Sequence, residues 1–242
     1  MVMRDIRRLM GDGQWMWTNT SIVAADVEVD AQAAAKWLPN GVCLTRPAMA
    51  SIFIADYPWT SFGSVYHEAA VLLHVRWMRL PAVHCPWMLV DDDVALILGR
   101  EVLGYPKKMA EIALSVNQGH VEATVRRAGE CLIEMNGEVG EKDPDPPPLL
   151  GRRTLNVWGV VGLSMPKLLM FTPREEIIEA HRVNLTLQVR GSERDPLDVL
   201  KVGNVLSARL YRTNIGSGKV IPLPAGVMTP LFLLRNWSLR FR

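Results

Sequence analysis

Ile112-Ala113-Leu114-Ser115-Val116-Asn117-Gln118-Gly119-His120-Val121-Glu122-Ala123-Thr124-Val125-Arg126 is the stretch that decides the fold class. Val121, Ala123 and Val125 alternate with Glu122, Thr124 and Arg126. That period of two sends apolar side chains to one face of a strand and polar ones to the other. Asn117-Gln118-Gly119 supplies a turn back to residues 112–116, so the stretch reads as a hairpin. Residues 131–135 give the next strand of a meander.

Working outward, residues 21–29 read as a strand and 46–57 as a buried one, with a longer apolar stretch at 65–77. Asp91-Asp92-Asp93 reads as a turn before a strand at 94–98, and further strands are expected at 154–161, 183–189, 205–211 and 237–241. The segment 141–150 is rich in proline, which removes ladder donors, so it is expected to be a loop. Asp30 is placed to cap a short helix over 31–38, stopped by Pro39-Asn40-Gly41. Residues 1–20, with Trp15 and Trp17, read as a short helical or irregular arm. The expectation is one mostly β (α+β) domain over residues 1–242 with a few short helices. A closed or nearly closed antiparallel barrel would hide its strand edges.

With 242 residues, 49% of them hydrophobic, the chain can bury a substantial core. Its 27 Lys+Arg nearly balance 25 Asp+Glu, so no basic field points to nucleic acid. Cys43, Cys85 and Cys131 are odd in number and far apart, matching neither a disulfide framework nor a metal site. No metal and no cofactor are expected. No apolar run approaches the roughly 20 residues needed to span a bilayer, and no signal peptide is read, so a cytoplasmic protein without a membrane partner is expected. Gly216-Ser217-Gly218-Lys219 lacks the other residues of a phosphate loop.

The chemistry concentrates in Gly99-Arg100-Glu101-Val102-Leu103-Gly104-Tyr105-Pro106-Lys107-Lys108. Adjacent lysines are usually surface decoration, but these have Val102, Leu103, Met109, Ala110 and Ile112 around them. Desolvation disfavours an ammonium ion, lowers its pKa and leaves an amine able to attack a carbonyl. An ordinary lysine, titrating near about 10.4, is neutral only about once in 2,500 molecules at pH 7. In an extended segment successive side chains point to opposite faces, so Lys107 and Lys108 cannot both enter one pocket. Parity alone leans to Lys108, which it groups with Ala110, Ile112 and Leu114. Glu68 lies in the apolar run at 65–75, where an unpaired charge is costly. It is a candidate pocket carboxylate, or a structural partner for Arg76, Arg79 or Arg100.

Gly99-Arg100-Glu101 followed by Tyr105-Pro106-Lys107-Lys108 resembles the signature of the acetoacetate decarboxylase family, and Tyr66-His67-Glu68 is similar to the tyrosine and glutamate upstream of it. The resemblance covers about residues 25–112. It implies a cone-shaped antiparallel β-barrel with surrounding sheet, assembled as a homo-oligomer. It also implies imine formation by Lys107 on a small keto acid, the use of a desolvated lysine that the family itself exemplifies. Glu68 would shuttle a proton or pair with the amine, with Lys108, Tyr66, Tyr105 and Phe53 supporting the site or touching substrate. The family's N-terminal arginine and second glutamate fall near Thr20 and Phe53 here, which puts recognition of a substrate carboxylate in doubt. Decarboxylation of a β-keto acid therefore stands beside aldol condensation and dehydration through the same imine, and beside a non-catalytic keto-acid-binding protein. His67 and His74 have no second ligand at metal spacing and read as packing or surface residues, as does Cys85 beside His84.

Overall fold

A computed structural model describes residues 15–158, 166–218, 221–223 and 230–241. The strands are β1 (Met16–Glu28), β2 (Val42–Leu44), β3 (Met49–Tyr57), β4 (Tyr66–Trp77), β5 (Leu80–Val90), β6 (Lys107–Met109) and β7 (Glu111–Asn117). They continue with β8 (His120–Arg127), β9 (Glu130–Lys142), β10 (Thr154–Trp158), β11 (Lys167–Phe171), β12 (Arg174–Val189), β13 (Val205–Gly216) and β14 (Ile221–Leu223). The helices are α1 (Ala31–Ala35), α2 (Asp93–Leu103) and α3 (Pro230–Phe241), with a 3-10 turn at Leu197–Leu200. The protein is thus mostly β, as expected.

All the described strands join one sheet in the order β14-β11-β10-β5-β4-β3-β1-β13-β12-β9-β8-β7, with β2 on β4 and β6 on β5. Pairing is antiparallel except for β6 and β10, which run parallel to β5. The far end curls round so that β7 lies against β3 and β4. The inner side of that curl carries Val23, Ala25 and Val27 of β1, Ile52 and Ile54 of β3, and Val71 and Leu73 of β4. Val121, Ala123 and Val125 of β8 meet them there. The alternation that opened the sequence therefore points into the core. The opposite face of β1, β3 and β4 carries a second cluster, including Ile22, Ala24, Phe53, Tyr57, Tyr66, Ala70 and Leu72. The functional cavity forms on this second face.

Three hairpins turn on two residues that both have positive φ: Met78-Arg79, Gln118-Gly119 and Ala128-Gly129. Such turns match the twist of the paired strands. The Asp30 cap also holds, its carboxylate accepting from Ala33 N at 2.8 Å, although the helix it opens is shorter than expected.

Two strand assignments are overturned. Residues 94–98 lie in α2, whose N-cap Asp92 accepts from Ala95 N at 2.7 Å and whose C-cap Gly104 is left-handed at φ 67°. Ala95, Gly99 and Leu103, four residues apart, form its buried stripe. Residues 237–241 lie in α3, which buries Phe232, Asn236, Leu239 and Arg240. Arg240 donates to the carbonyls of Gly104 and Val157, tying α3 to both the α2 cap and β10. Strand β5 belonged to no assignment from the sequence. The expected N-terminal arm is strand from Met16 onward, while residues 1–14 fall outside the described residues. Positions 159–161 of the strand expected at 154–161, and Lys219, also fall outside them.

Candidate active site

Between α2 and β6, Gly104 reverses the chain and β6 docks beside β5, pairing Met88 with Lys107 and Leu89 with Lys108. Strand alternation then sends the two lysines to opposite sides of the sheet. Lys107 enters the aromatic face and Lys108 the inner side of the curl. Each is only 5% exposed.

Lys107 Nζ lies 2.7 Å from Glu68 Oε2, the carboxylate being likewise 5% exposed. Glu68 stands on β4, two strands away, on the same face as Tyr66, Ala70 and Leu72. Its partner is therefore Lys107 rather than Arg76, Arg79 or Arg100. Tyr57 OH donates to Glu68 Oε1 at 3.3 Å, and the Tyr57 and Tyr66 rings stack at 4.6 Å. Lys107 Nζ sits 5.2 Å from the centroid of Tyr66, a cation–π distance. Burial first, and the Glu68 charge second, push the Tyr57 and Tyr66 phenols well above the ordinary range. Burial does the same for Tyr105. All three rings therefore stay protonated donors.

The cavity they enclose has about 60 Å³ of free volume. Phe53, Leu72, Met88, Leu150 and Phe171 supply apolar walls beside Tyr105, and Lys107 and Glu68 are the charged groups of the described lining. Gly99 of α2 lies against the Lys107 side chain. A Cβ there would come within 2.5 Å of Lys107 Cε, so the helix offers bare backbone where the lysine stem passes. Arg100 donates to the Lys107 carbonyl at 3.2 Å, tying α2 to the backbone of β6.

Of the candidates from the sequence, Lys107, Glu68, Tyr66, Tyr105 and Phe53 all line this cavity. Lys108 does not, which corrects its expected supporting or substrate-binding role. It pairs with Asp195 on the inner side of the curl, where Trp87 Nε1 and Arg127 also donate to the same carboxylate. Burial holds the Lys108 pKa below the usual lysine range. For Asp195 burial works upward, but the donors from Lys108, Trp87 and Arg127 outweigh it and keep the acid ionised. Lys108 is therefore an anchor for β6. Trp17 and Tyr57 escaped the sequence, since nothing local marks a tryptophan on β1 as a neighbour of residue 66.

Thr20, near the family's arginine position, is fully buried with an unpaired Oγ1. His67 pairs with Asp91 at 2.7 Å, and His74 sits in a separate polar group with Ser51 and Arg152. Cys85 is buried and its thiol is pushed up by burial, the opposite of an activated thiolate. Among the described residues no group of three His, Cys, Asp or Glu could hold a metal ion, and no helix is long and apolar enough to cross a membrane.

The frame of the site is thus a β-rich sheet that buries a lysine–carboxylate pair in an aromatic cavity. The sequence model of acetoacetate decarboxylase matches residues 10–221, so the chain belongs to the acetoacetate decarboxylase family. It is 26% identical over 113 residues to acetoacetate decarboxylase of Burkholderia cenocepacia, and 29% identical over 104 residues to that of Acidiphilium cryptum. These matches cover 47% and 43% of this chain, and 46% and 42% of the relatives, so the chain matches about half the length of its curated relatives. The fold resembles the Legionella pneumophila acetoacetate decarboxylase with a TM-score of 0.77 at 16% identity, covering 86% of this chain and 87% of that one. It also resembles the enduracididine biosynthesis enzyme MppR, with a TM-score of 0.77 at 19% identity and 87% coverage of both chains. An acetoacetate decarboxylase-like enzyme from Sphingomonas wittichii gives 0.76 at 18% identity, over 90% of this chain and 96% of that one.

Proposed function

We propose that the protein is a cofactor-free carbon–carbon lyase in which Lys107 forms an imine with a small keto acid, and that loss of CO₂ from a β-keto acid is its lead reaction. The observation that carries this is the 2.7 Å contact between Lys107 Nζ and Glu68 Oε2 inside an aromatic cavity. An amine attacks only when uncharged, and Glu68 is within reach to take its proton. Attack on the ketone and loss of water give an iminium. Its positive nitrogen draws the electron pair of the bond to a β-carboxylate, CO₂ leaves, and the enamine takes a proton at carbon before hydrolysis frees the ketone.

A second reading is favoured by Phe53 on the cavity wall and by the balanced charge of the described lining. Beyond the nitrogen of Lys107 itself, the described lining offers a substrate carboxylate no cation. The same enamine can instead attack an aldehyde, giving aldol addition and dehydration.

Borohydride reduction in the presence of acetoacetate or pyruvate, followed by mass spectrometry, tests both. Label on Lys107 is expected. No label across a broad keto-acid panel overturns the lyase reading in favour of a binding protein. Release of CO₂ from acetoacetate selects decarboxylation, and a new carbon–carbon bond from pyruvate plus an aldehyde selects the second reading. The proposal includes a homo-oligomer, for which Leu231, Leu234 and Trp237, exposed on α3, offer apolar area. Sedimentation analysis tests that part, and a monomer refutes it.

A further inference from the structure

Tyr66 is 3% exposed and lines the cavity. Its oxygen accepts a hydrogen bond from Trp17 Nε1 at 2.9 Å. A phenolic hydroxyl carries one proton and lone pairs for acceptance, whereas an indole N–H only donates. Trp17 therefore occupies a lone pair and cannot receive the Tyr66 proton. Among the described residues the hydroxyl has no other hydrogen-bond partner. Burying a donor without an acceptor is costly, so the acceptor is to be sought in whatever fills the cavity. Both rings are fixed. Tyr66 stacks on Tyr57, and Trp17 meets Phe62 edge-on at 5.6 Å.

Resting on the Lys107 reading, we infer that Trp17 is a positioning residue that holds Tyr66 as the hydrogen-bond donor to the carbonyl oxygen under attack. As Nζ bonds to the carbonyl carbon, the C=O π pair moves onto oxygen, and the Tyr66 O–H meets that growing charge without surrendering its proton. Of the three protons of the Lys107 ammonium, Glu68 takes one before attack and passes it and then a second to the oxygen, which leaves as water; the third stays on the iminium nitrogen, and Glu68 is regenerated as carboxylate. The high phenol pKa of Tyr66, caused by burial, fits a donor that never ionises. The substrate class that follows is one whose reacting carbonyl oxygen turns to the Trp17–Tyr66 wall and whose remainder faces Phe53, Leu72 and Met88.

The test is the rate of borohydride trapping at Lys107 with butanone, a neutral ketone that isolates imine formation from CO₂ loss. Tyr66→Phe, which removes one oxygen and keeps the ring, is expected to slow trapping about 100-fold, as for loss of one oxyanion donor. Trp17→Phe should slow it about 10-fold. The double variant should be no slower than Tyr66→Phe alone, because the indole acts only through the phenol. Multiplying effects, or a Tyr66→Phe protein at the wild-type rate, overturn the inference. If Trp17→Phe melts below the assay temperature, Tyr66→Phe decides alone. A wild-type protein that takes no label from any ketone overturns the Lys107 reading instead, so the two failures are distinct.

Discussion

At the scale of single residues, Gly99 sets the sharpest condition on the site. Its missing side chain is the space occupied by Lys107 Cδ and Cε, 2.6 and 2.5 Å from where a Cβ would stand. In Gly99→Ala the flexible lysine end must yield, while the helix gains about 1 kcal/mol of intrinsic propensity. We expect an unchanged or higher melting temperature with at least a tenfold slower trapping of Lys107, and a fast, stable variant would refute this role. Glu68→Gln keeps the shape and removes the base. Turnover should fall by about 10²–10⁴, and leaving the Lys107 charge buried without its partner should cost several kcal/mol in chemical denaturation. Glu68 was legible from the apolar run around it, whereas Lys107, Tyr66, Tyr105 and Phe53 were placed by the resemblance to the family rather than by local pattern. Asp195, Trp17 and Tyr57 were marked by neither, since their partners lie 87, 49 and 11 residues away. Lys108 shows where adjacency misleads. Its parity with Ala110 and Ile112 marked it as buried, but on the side opposite the Lys107 cavity.

The elements explain the misread segments. Val94-Ala95-Leu96-Ile97-Leu98 is a short continuous apolar run, and periodicity alone cannot distinguish a buried strand from a helix segment there. The deciding signals were the cap at Asp92 and the glycine at 104, which bracket a length too great for that strand. Asp92→Ala should cost about 1 kcal/mol, measurable by urea titration. Gly104→Ala should cost more, since it combines a positive φ with a Cβ 2.9 Å from Val157 O. It should also slow trapping by displacing β6. Equal losses from the two substitutions would count against this account. Strand β5 was hidden because its hairpin uses Met78-Arg79, neither of them a usual turn residue, and because Pro81 and Pro86 interrupt it. Trp237-Ser238-Leu239-Arg240-Phe241 imitates strand alternation, while the α3 stripe of Phe232, Asn236 and Leu239 appears only over a longer window.

For the whole molecule, the β-rich class was visible in the 112–126 alternation, but the parallel attachment of β6 and β10 to β5 was not, because pairing partners leave no local trace. Stability should also respond to acid through His84. Its Nδ1 donates to Leu155 O at 2.7 Å between β5 and β10, and burial pushes its pKa down to about 4. The unfolded chain binds that proton near pH 6.5 and the folded one only near 4. This contribution is therefore complete above pH 6.5 and lost as pH falls toward 4, on the order of 3 kcal/mol. His84→Gln should flatten the stability curve between those limits, and an unaltered slope would exclude His84 as the cause. The anchoring of Lys108 by Asp195 has a temporal counterpart. Contacts between distant parts of a chain carry a larger loop-closure cost, so a nascent polypeptide still on the ribosome before position 195 lacks the Asp195 anchor of Lys108. On dilution from denaturant, far-ultraviolet dichroism should recover first, and competence for reductive amination only after the last third of the chain has arrived.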